Sequence, residues 1–506
     1  MTASAREYHD ETRYSRYGMQ GHALDWGSQP DVFKSYPGLE SLELPKVTDW
    51  SDKNLSELIR ESDPEAPKSD IDINCLSRVL MLTHSITARA RHGGAYFYYR
   101  SVASAGALYP FELYVATRDV AGLENALYHH KVADQSLVPL RPGDLCSEIA
   151  EALSSTADSS PMMTFFLTSI FFRSSWKYRD RGYRYNLLDT GHLCENLYLA
   201  LKAEGLSHTL HYDFNDERIN RMLGVDDRRE ACLSVASVRG DSVASKGTTT
   251  HAAAIPDSLA VASKVSSMEI DYSTIKEVHA SSSHVSSARD AIPKILDAPG
   301  MSPVSEKPFQ GRDTWPEKMG YAESVFRRRS MRNFVTDRLP ANYLDALLES
   351  VFSGLGVTAA EPESAEGESI SVGLLAGDVE GLNPGLYNLD REKRSIGTVV
   401  ETAMIGAMAR VCLDQAWLAN CALHFLFLTN LEIIERNRGP RGYRHALMKA
   451  GRIGQRIYLT ATSMKIGCCG IGAFFDDEAS QVLRLNDQSR LLYLVAVGPV
   501  KKWSVK

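Results

Sequence analysis

Apolar positions along this chain follow two periods, and the same order of patterns occurs twice. Phe111-Glu-Leu-Tyr-Val-Ala116 alternates as a half-buried strand does. Met162–Phe172 is a continuous apolar run rich in Phe, which predicts a strand buried on both faces, and His424–Thr429 reads as its twin. Tyr183–Glu204 and Tyr443–Lys465 each repeat apolar residues at helical spacing over about six turns. Helices apolar over so much of their surface belong in a core or at an interface. Leu491–Val497 predicts a last buried strand, and Asn342–Phe352 a helix with Leu344, Leu347, Leu348 and Val351 on one face. The pattern is that of an α+β domain read twice.

Residue identities repeat along with the pattern. Arg181-Gly-Tyr-Arg184 recurs as Arg441-Gly-Tyr-Arg444, an offset of 260. Leu187 and Leu447, Gly191 and Gly451, Tyr198-Leu199 and Tyr458-Leu459, and Val235-Ala236 and Val495-Ala496 keep that offset. Asp119–Leu123 and Leu127-Tyr128 match Asp378–Leu382 and Leu386-Tyr387 at 259, and Phe166–Thr168 matches Phe427–Thr429 at 261. Co-linear matches at a nearly constant offset mark a tandem duplication. The stretch from Asp241 to Gly311 is rich in Ser and Ala and reads as a linker, within which Ser286–Leu296 has helical character. This predicts halves at 1–240, with an N-terminal extension to about 70, and at 312–506.

Composition narrows the function classes. A chain of 506 residues exceeds what one core normally spans. The formal net charge is −7, the opposite of the bias expected of a nucleic-acid binder. The eight cysteines form no C-x-x-C pair, so neither a zinc ribbon nor a disulfide framework is indicated. The start is polar, without a signal-peptide apolar region, and no run reaches the roughly 20 apolar residues of a membrane helix. The expectation is a reduced, cytoplasmic protein without a metal site, nucleic-acid partner or membrane partner.

Three segments concentrate chemistry. Phe326-Arg-Arg-Arg-Ser-Met-Arg-Asn-Phe334 gathers guanidinium forks and a hydroxyl suited to a phosphate, or else forms a solvated basic turn. Arg100–Pro110 contains five small residues, Ala103 to Ala107, whose bare backbone can approach a flat ring, or else is a plain loop before a strand. Gly467-Cys-Cys-Gly-Ile-Gly-Ala-Phe-Phe-Asp-Asp477 reads as a glycine loop directly after the long helix, but lacks the full G-x-G-x-x-G and the preceding strand of a dinucleotide site. Cys468 and Cys469 read as buried fillers. His129-His130 reads as a partly exposed loop pair; neighbours on a strand would point to opposite faces and not share a metal. His208 and His211 read as structural or exposed.

Together these motifs resemble the nitroreductase-like flavoproteins, in particular the SagB-type dehydrogenase and azoline-oxidase branch. Arg328-Arg-Ser-Met-Arg-Asn-Phe334 is similar to that family's Arg-Arg-Ser-x-Arg-x-Phe. Ser104-Ala-Gly-Ala-Leu-Tyr-Pro110 is similar to the branch's Pro-Ser-Ala-Gly-Ala-Leu-Tyr-Pro, with Ala103 in place of the first Pro. Pro384-Gly-Leu-Tyr387, Arg441–Arg444 and Cys469–Phe474 fit as well. The resemblance implies a nitroreductase-like α+β fold duplicated in tandem, an antiparallel-type sheet flanked by long helices. The two halves would form an intramolecular pseudo-dimer with FMN at their interface.

The resemblance also implies a division of labour. The C-terminal half holds Arg328, Arg329, Ser330, Arg332, Gly470, Ile471 and Gly472, and the N-terminal half holds Ser104, Ala105 and Gly106. At the positions equivalent by offset, Ser364-Ala-Glu366 and Leu210-His-Tyr212, the glycines are missing, and no Arg-Arg-Ser opens the first half. One intact and one decayed flavin site are therefore expected. The phosphate would sit on Arg328, Ser330 and Arg332 with Lys501 nearby, Ile471 or Gly472 N–H would approach flavin N5, and Ser104–Gly106 would line the ring. Lys177-Tyr178, before the Arg-Gly-Tyr-Arg helix, matches a Lys-Tyr pair of azoline oxidases that could take a proton during hydride transfer, or else is a surface helix start. The implied activity is FMN-dependent hydride transfer on a small or peptidic substrate. The alternatives are an NAD(P)H-dependent nitroreductase and a flavin binder with lost catalysis.

Overall fold

The computed structural model describes residues 4–19, 21, 23–68, 71–92, 95–153, 161–240, 252–253, 256–283, 299–355 and 369–502. The expected helix over 286–296 and the glycine-less segment 364–366 lie outside them.

Two seven-stranded sheets dominate, and they have one topology. In the first, the strand order is Leu42–Glu43, Ser136–Pro142, Ala126–Lys131, Phe111–Thr117, Met163–Ile170, Glu230–Val238, His208–His211. In the second it is Ser305–Pro308, Ser395–Val400, Gly385–Asp390, Ser371–Ala376, Leu423–Asn430, Ser489–Gly498, Gly467–Ile471. Neighbouring strands within both sheets run antiparallel. The Phe-rich runs occupy inner positions and are buried along their whole length, as strands covered on both faces must be. The duplication and the α+β class are therefore as the sequence predicts.

Four helices organise the interface between the halves: α1 (Phe171–Tyr178), α2 (Gly182–Ala203), α3 (Leu431–Arg438) and α4 (Arg441–Ser463). The long helices α2 and α4 cross at their glycines. A Cβ at Gly191 would overlap the Met448 carbonyl, and one at Gly451 the Leu188 carbonyl. The repeat-matched glycines are thus the point of closest helix approach.

The Arg-Gly-Tyr-Arg motifs lock the halves reciprocally. Arg181 and Arg184 donate to Asp476 of the other half at 2.7 and 2.9 Å, and Arg441 and Arg444 donate to Asp216 at 2.8 and 2.5 Å. All six side chains are buried. Short helices complete the symmetry. His9 of Ala5–Glu11 bonds Tyr443, while His279 of Ser273–Ser281 bonds Tyr183. Arg184 donates to the His9 carbonyl, and Arg444 to that of His279. Residue i of one half meeting residue j of the other, and j meeting i, is the signature of an isologous interface. The Ser/Ala-rich stretch is therefore more than spacer in its described parts, since it carries the helix Ser273–Ser281 and the edge strand Ser305–Pro308.

Three readings need correction. The Gly467–Ile471 segment is an edge strand paired with Ser489–Gly498, not a loop, because its small residues fit between Tyr493 and Phe334. His129 and His130 lie in a strand and are buried. Glu112 on the neighbouring strand bonds His129 Nε2 at 2.9 Å, and Gln135 bonds His130 Nε2 at 3.1 Å, so each ring has an internal partner of its own rather than a shared ion. Lys177-Tyr178 ends α1 rather than starting a helix, because Arg179 turns to φ 51°. Cys468 and Cys469 are buried, as expected of fillers. Among the described residues no helix is long and apolar enough to cross a membrane.

Candidate functional site

The motif segments of both halves converge at one end of the α2–α4 contact. From the first half comes the loop Ser104–Gly106. Ser104 Oγ donates to Asp189 Oδ2 on α2 at 2.6 Å and accepts from Tyr109 N at 2.9 Å, and Ala105 N–H points at the same carboxyl. Gly106 has φ +63°, a left-handed conformation that favours glycine. A Cβ there would stand 2.8 Å from Tyr178 Oη and 3.2 Å from Lys177 Nζ. The Lys-Tyr pair therefore lies directly against the small-residue loop.

The second half supplies the other wall. Ser330 Oγ meets Tyr458 Oη at 2.8 Å, and Gly470 N–H donates to the same phenol at 2.6 Å. One tyrosine of α4 thus fixes both the basic segment and the glycine strand. The Gly472 carbonyl accepts from Arg181 Nη2 at 3.1 Å and Tyr185 Oη at 3.2 Å, both from the first half. Tyr185 packs on Tyr178 with ring centroids 4.3 Å apart. Gly472 is needed for this approach, since a Cβ would lie 2.5 Å from the Tyr185 ring. On the mirror side the Tyr212 carbonyl accepts Arg441, as that of Gly472 accepts Arg181.

The basic residues divide into two kinds. Arg328 is buried, and its Nε and Nη2 donate to the carbonyls of Ser101, Arg100 and Val102, which fastens the strand leading into Ser104. Arg329 is half-buried against Thr87 and the carbonyls of Phe326 and Arg328; burial first, and then the Arg328 charge, lower it to about 10. Ser330 and Arg332 are exposed. Lys501 is exposed beside them, held by its N–H to the Asn333 carbonyl at 3.0 Å.

Electrostatics tie these pieces together. Burial lowers the Lys177 ammonium below the usual lysine range, and the Arg332 charge lowers it further. Burial raises the Tyr178 phenol, with the nearby Tyr185 and Asp189 adding to it. Asp189 is buried under the Ser104 loop, which pushes its carboxyl up to about 7 against the pull of the Ser104 and Ala105 hydrogen bonds. Below Tyr493, His192 of α2 bonds Tyr493 Oη at 3.1 Å and Gln455 at 2.8 Å. Burial holds that imidazole down to about 4, so it stays neutral.

Asp189, Tyr185, Tyr458 and Tyr493 were not singled out from sequence. Tyr458 stands in the repeat match Tyr198-Leu199/Tyr458-Leu459, and that signal could have found it.

A family model for the nitroreductase family matches residues 76–239 and again 325–499, together more than half of the chain. The chain belongs to the nitroreductase family. It is an oxidoreductase of that superfamily in tandem form. A solved nitroreductase-type protein of Anabaena variabilis has the same fold over 98% of this chain and 99% of its own, with TM-score 0.75 and 24% identity. The nitroreductase-type protein MJ1384 of Methanocaldococcus jannaschii is 27% identical over 35% of this chain and 90% of its own length. The trifolitoxin-processing protein TfxB of Rhizobium leguminosarum bv. trifolii is 30% identical over 27% of this chain and 38% of its own. The microcin B17-processing protein McbC of Escherichia coli is 28% identical over 27% and 52%. The chain thus spans about half or less of these two processing proteins.

Proposed function

We propose that this nitroreductase-family member is an FMN-dependent dehydrogenase acting on a small or peptidic substrate. The carrying observation is that Lys177 and Tyr178 of the first half stand directly against the Gly106 loop, where the charge of Arg332 from the second half acts on Lys177. The residues suit the cofactor. Exposed Ser330 and Arg332, with Lys501 alongside, offer a hydroxyl and cations to a phosphate. Gly106 and Gly472 leave backbone bare where a side chain would fill the space. In this reading Arg328 and Arg329 hold the platform rather than the phosphate itself. Held by these residues, FMN would supply a two-electron acceptor for a hydride from the substrate carbon.

The chain's own groups handle that proton. Lys177, lowered by burial and Arg332, is the base, and Tyr178 orients the donor group against the Ser104–Gly106 backbone. The peptide-processing descriptions of TfxB and McbC support a peptidic substrate. The test is purification with added FMN, followed by spectra and turnover. One flavin per chain, bleached anaerobically by a thiazoline-containing peptide, is the expected result. Two tight flavins per chain, or rapid bleaching by NAD(P)H alone, would overturn the reading. Arg332→Ala is expected to weaken FMN binding at least about tenfold, the scale of one lost charge-assisted hydrogen bond.

A further inference from the structure

The mirror image of the basic segment lies on the opposite side of the pseudo-symmetric interface. Tyr198, the repeat partner of Tyr458, donates to Asp63 at 2.5 Å, as Tyr458 meets Ser330. Each segment follows a short helix, Leu55–Arg60 in one half and Tyr321–Arg327 in the other. Glu61-Ser-Asp-Pro-Glu65 therefore stands where Arg328-Arg-Ser-Met-Arg332 stands, with carboxylates in place of cations. The site remains open: a cavity of about 590 Å³ lies between the halves here. Like charge sets this segment against a phosphate.

Most of the charged lining is already satisfied. Glu61 pairs with Lys53 at 2.6 Å, Asp63 with Lys202 at 3.2 Å and Glu349 with Arg394 at 2.8 Å. Arg60 donates to the carbonyls of Arg312 and Asp313. Two ionic groups of the lining, Glu65 and Arg239, have no ion pair among the described residues, and they are of opposite sign. Both belong to the same lining, and the backbone of Lys68, three residues past Glu65, bridges that of Gly240, next to Arg239. A third group is deeper. His208 is 7% exposed; its Nδ1 bonds the Leu206 carbonyl at 2.8 Å, and its buried Nε2 has no partner. Burial lowers this imidazole, so Nε2 offers a lone pair to a donor. Ile59, Tyr198 and Phe352 add an apolar wall.

We propose that this cavity binds a zwitterionic amino acid, or a short peptide's charged end, with an apolar side chain. The ammonium donates to His208 Nε2 and Glu65, and the carboxylate meets Arg239. The ammonium would give His208 Nε2 a partner that no group among the described residues supplies. This second site is distinct from the proposed flavin site and does not depend on it.

The test is titration of the purified full chain with L-phenylalanine, followed by calorimetry and by the imidazole nitrogen signals of ¹⁵N-histidine-labelled protein. The His208 signal is identified by its loss in His208→Gln. The expected result is saturable binding that moves the His208 signal, weakened about tenfold or more in Glu65→Gln and in Arg239→Gln. Phenethylamine, which lacks the carboxylate, should bind about tenfold more weakly to the wild type and equally to Arg239→Gln. Inorganic phosphate should leave the His208 signal in place. The proposal falls if L-phenylalanine leaves that signal unmoved up to about 10 mM, a level that would still detect millimolar affinity. It also falls if both variants bind as the wild type does, or if phosphate occupies the cavity.

Discussion

Asp189 gives the sharpest test of the energetics beneath the Ser104 loop. Its carboxyl is 4% exposed and accepts from Ser104 Oγ and Ala105 N. Desolvation outweighs those two bonds, so the midpoint rises from 3.8 to about 7. At roughly 1.4 kcal/mol for each tenfold change, this difference is worth about 4 kcal/mol. The sign follows from which state holds the proton more tightly. The folded protein does, so the contribution to stability is complete below about pH 4, shrinks as pH rises, and is lost once pH passes about 7. Asp189→Asn replaces the group with a neutral one of the same shape that cannot ionise. The assay is urea unfolding at half-unit steps from pH 5 to 8.5 for both proteins. The wild type should lose about 2.7 kcal/mol relative to the variant across that range, from the two pH units between 5 and the midpoint near 7. Parallel curves would refute the reasoning, because the carboxyl would then titrate alike in both states. A gap that widened toward low pH would also refute it, by showing that the hydrogen bonds outweigh burial.

Two further outcomes follow from the interface. Gly451→Val places a side chain on the Leu188 carbonyl, so thermal unfolding should show a loss of about 1–3 kcal/mol or more, with Gly191→Val behaving alike. Asp476→Asn removes the charge shared by buried Arg181 and Arg184, and Asp216→Asn does the same for Arg441 and Arg444. Each should cost about 3–5 kcal/mol in chemical denaturation, and an unchanged midpoint for either would show that its arginines find other partners.

Much of the fold is legible in the apolar pattern because buried strands and long interface helices leave little freedom in composition. The run Met162–Phe172 became the strand Met163–Ile170, and Tyr443–Lys465 became α4 to within two residues. The motif segments were legible as well, since bare glycine backbone and clustered arginine are locally visible. What stayed hidden depends on contacts distant in sequence. His129 reads as exposed until Glu112 is seen beside it across the strand pair. The Ser/Ala-rich stretch conceals a helix because its stabilisation comes from His279 meeting Tyr183, not from its own composition. The counterpart of Ser330 was missed because Asp63 lies at an offset of 267, so comparison at 260 looks past it.

That change in offset also bears on why the two copies are joined. In a dimer of identical chains, every substitution appears at both sites. Here the features that hold the halves together are kept in duplicate: the glycine crossing, the Arg-Gly-Tyr-Arg motifs and the aspartates they grip. The features that would contact a ligand differ: Ser330 against Asp63, Arg332 against Glu65, Gly472 against Tyr212. Symmetry is therefore retained where it stabilises and broken where it faces the two openings. A carboxylate at the place of Arg332 would remove the proposed phosphate site from both ends of a symmetric dimer. In a fused chain it alters one end alone, and the other keeps its cations.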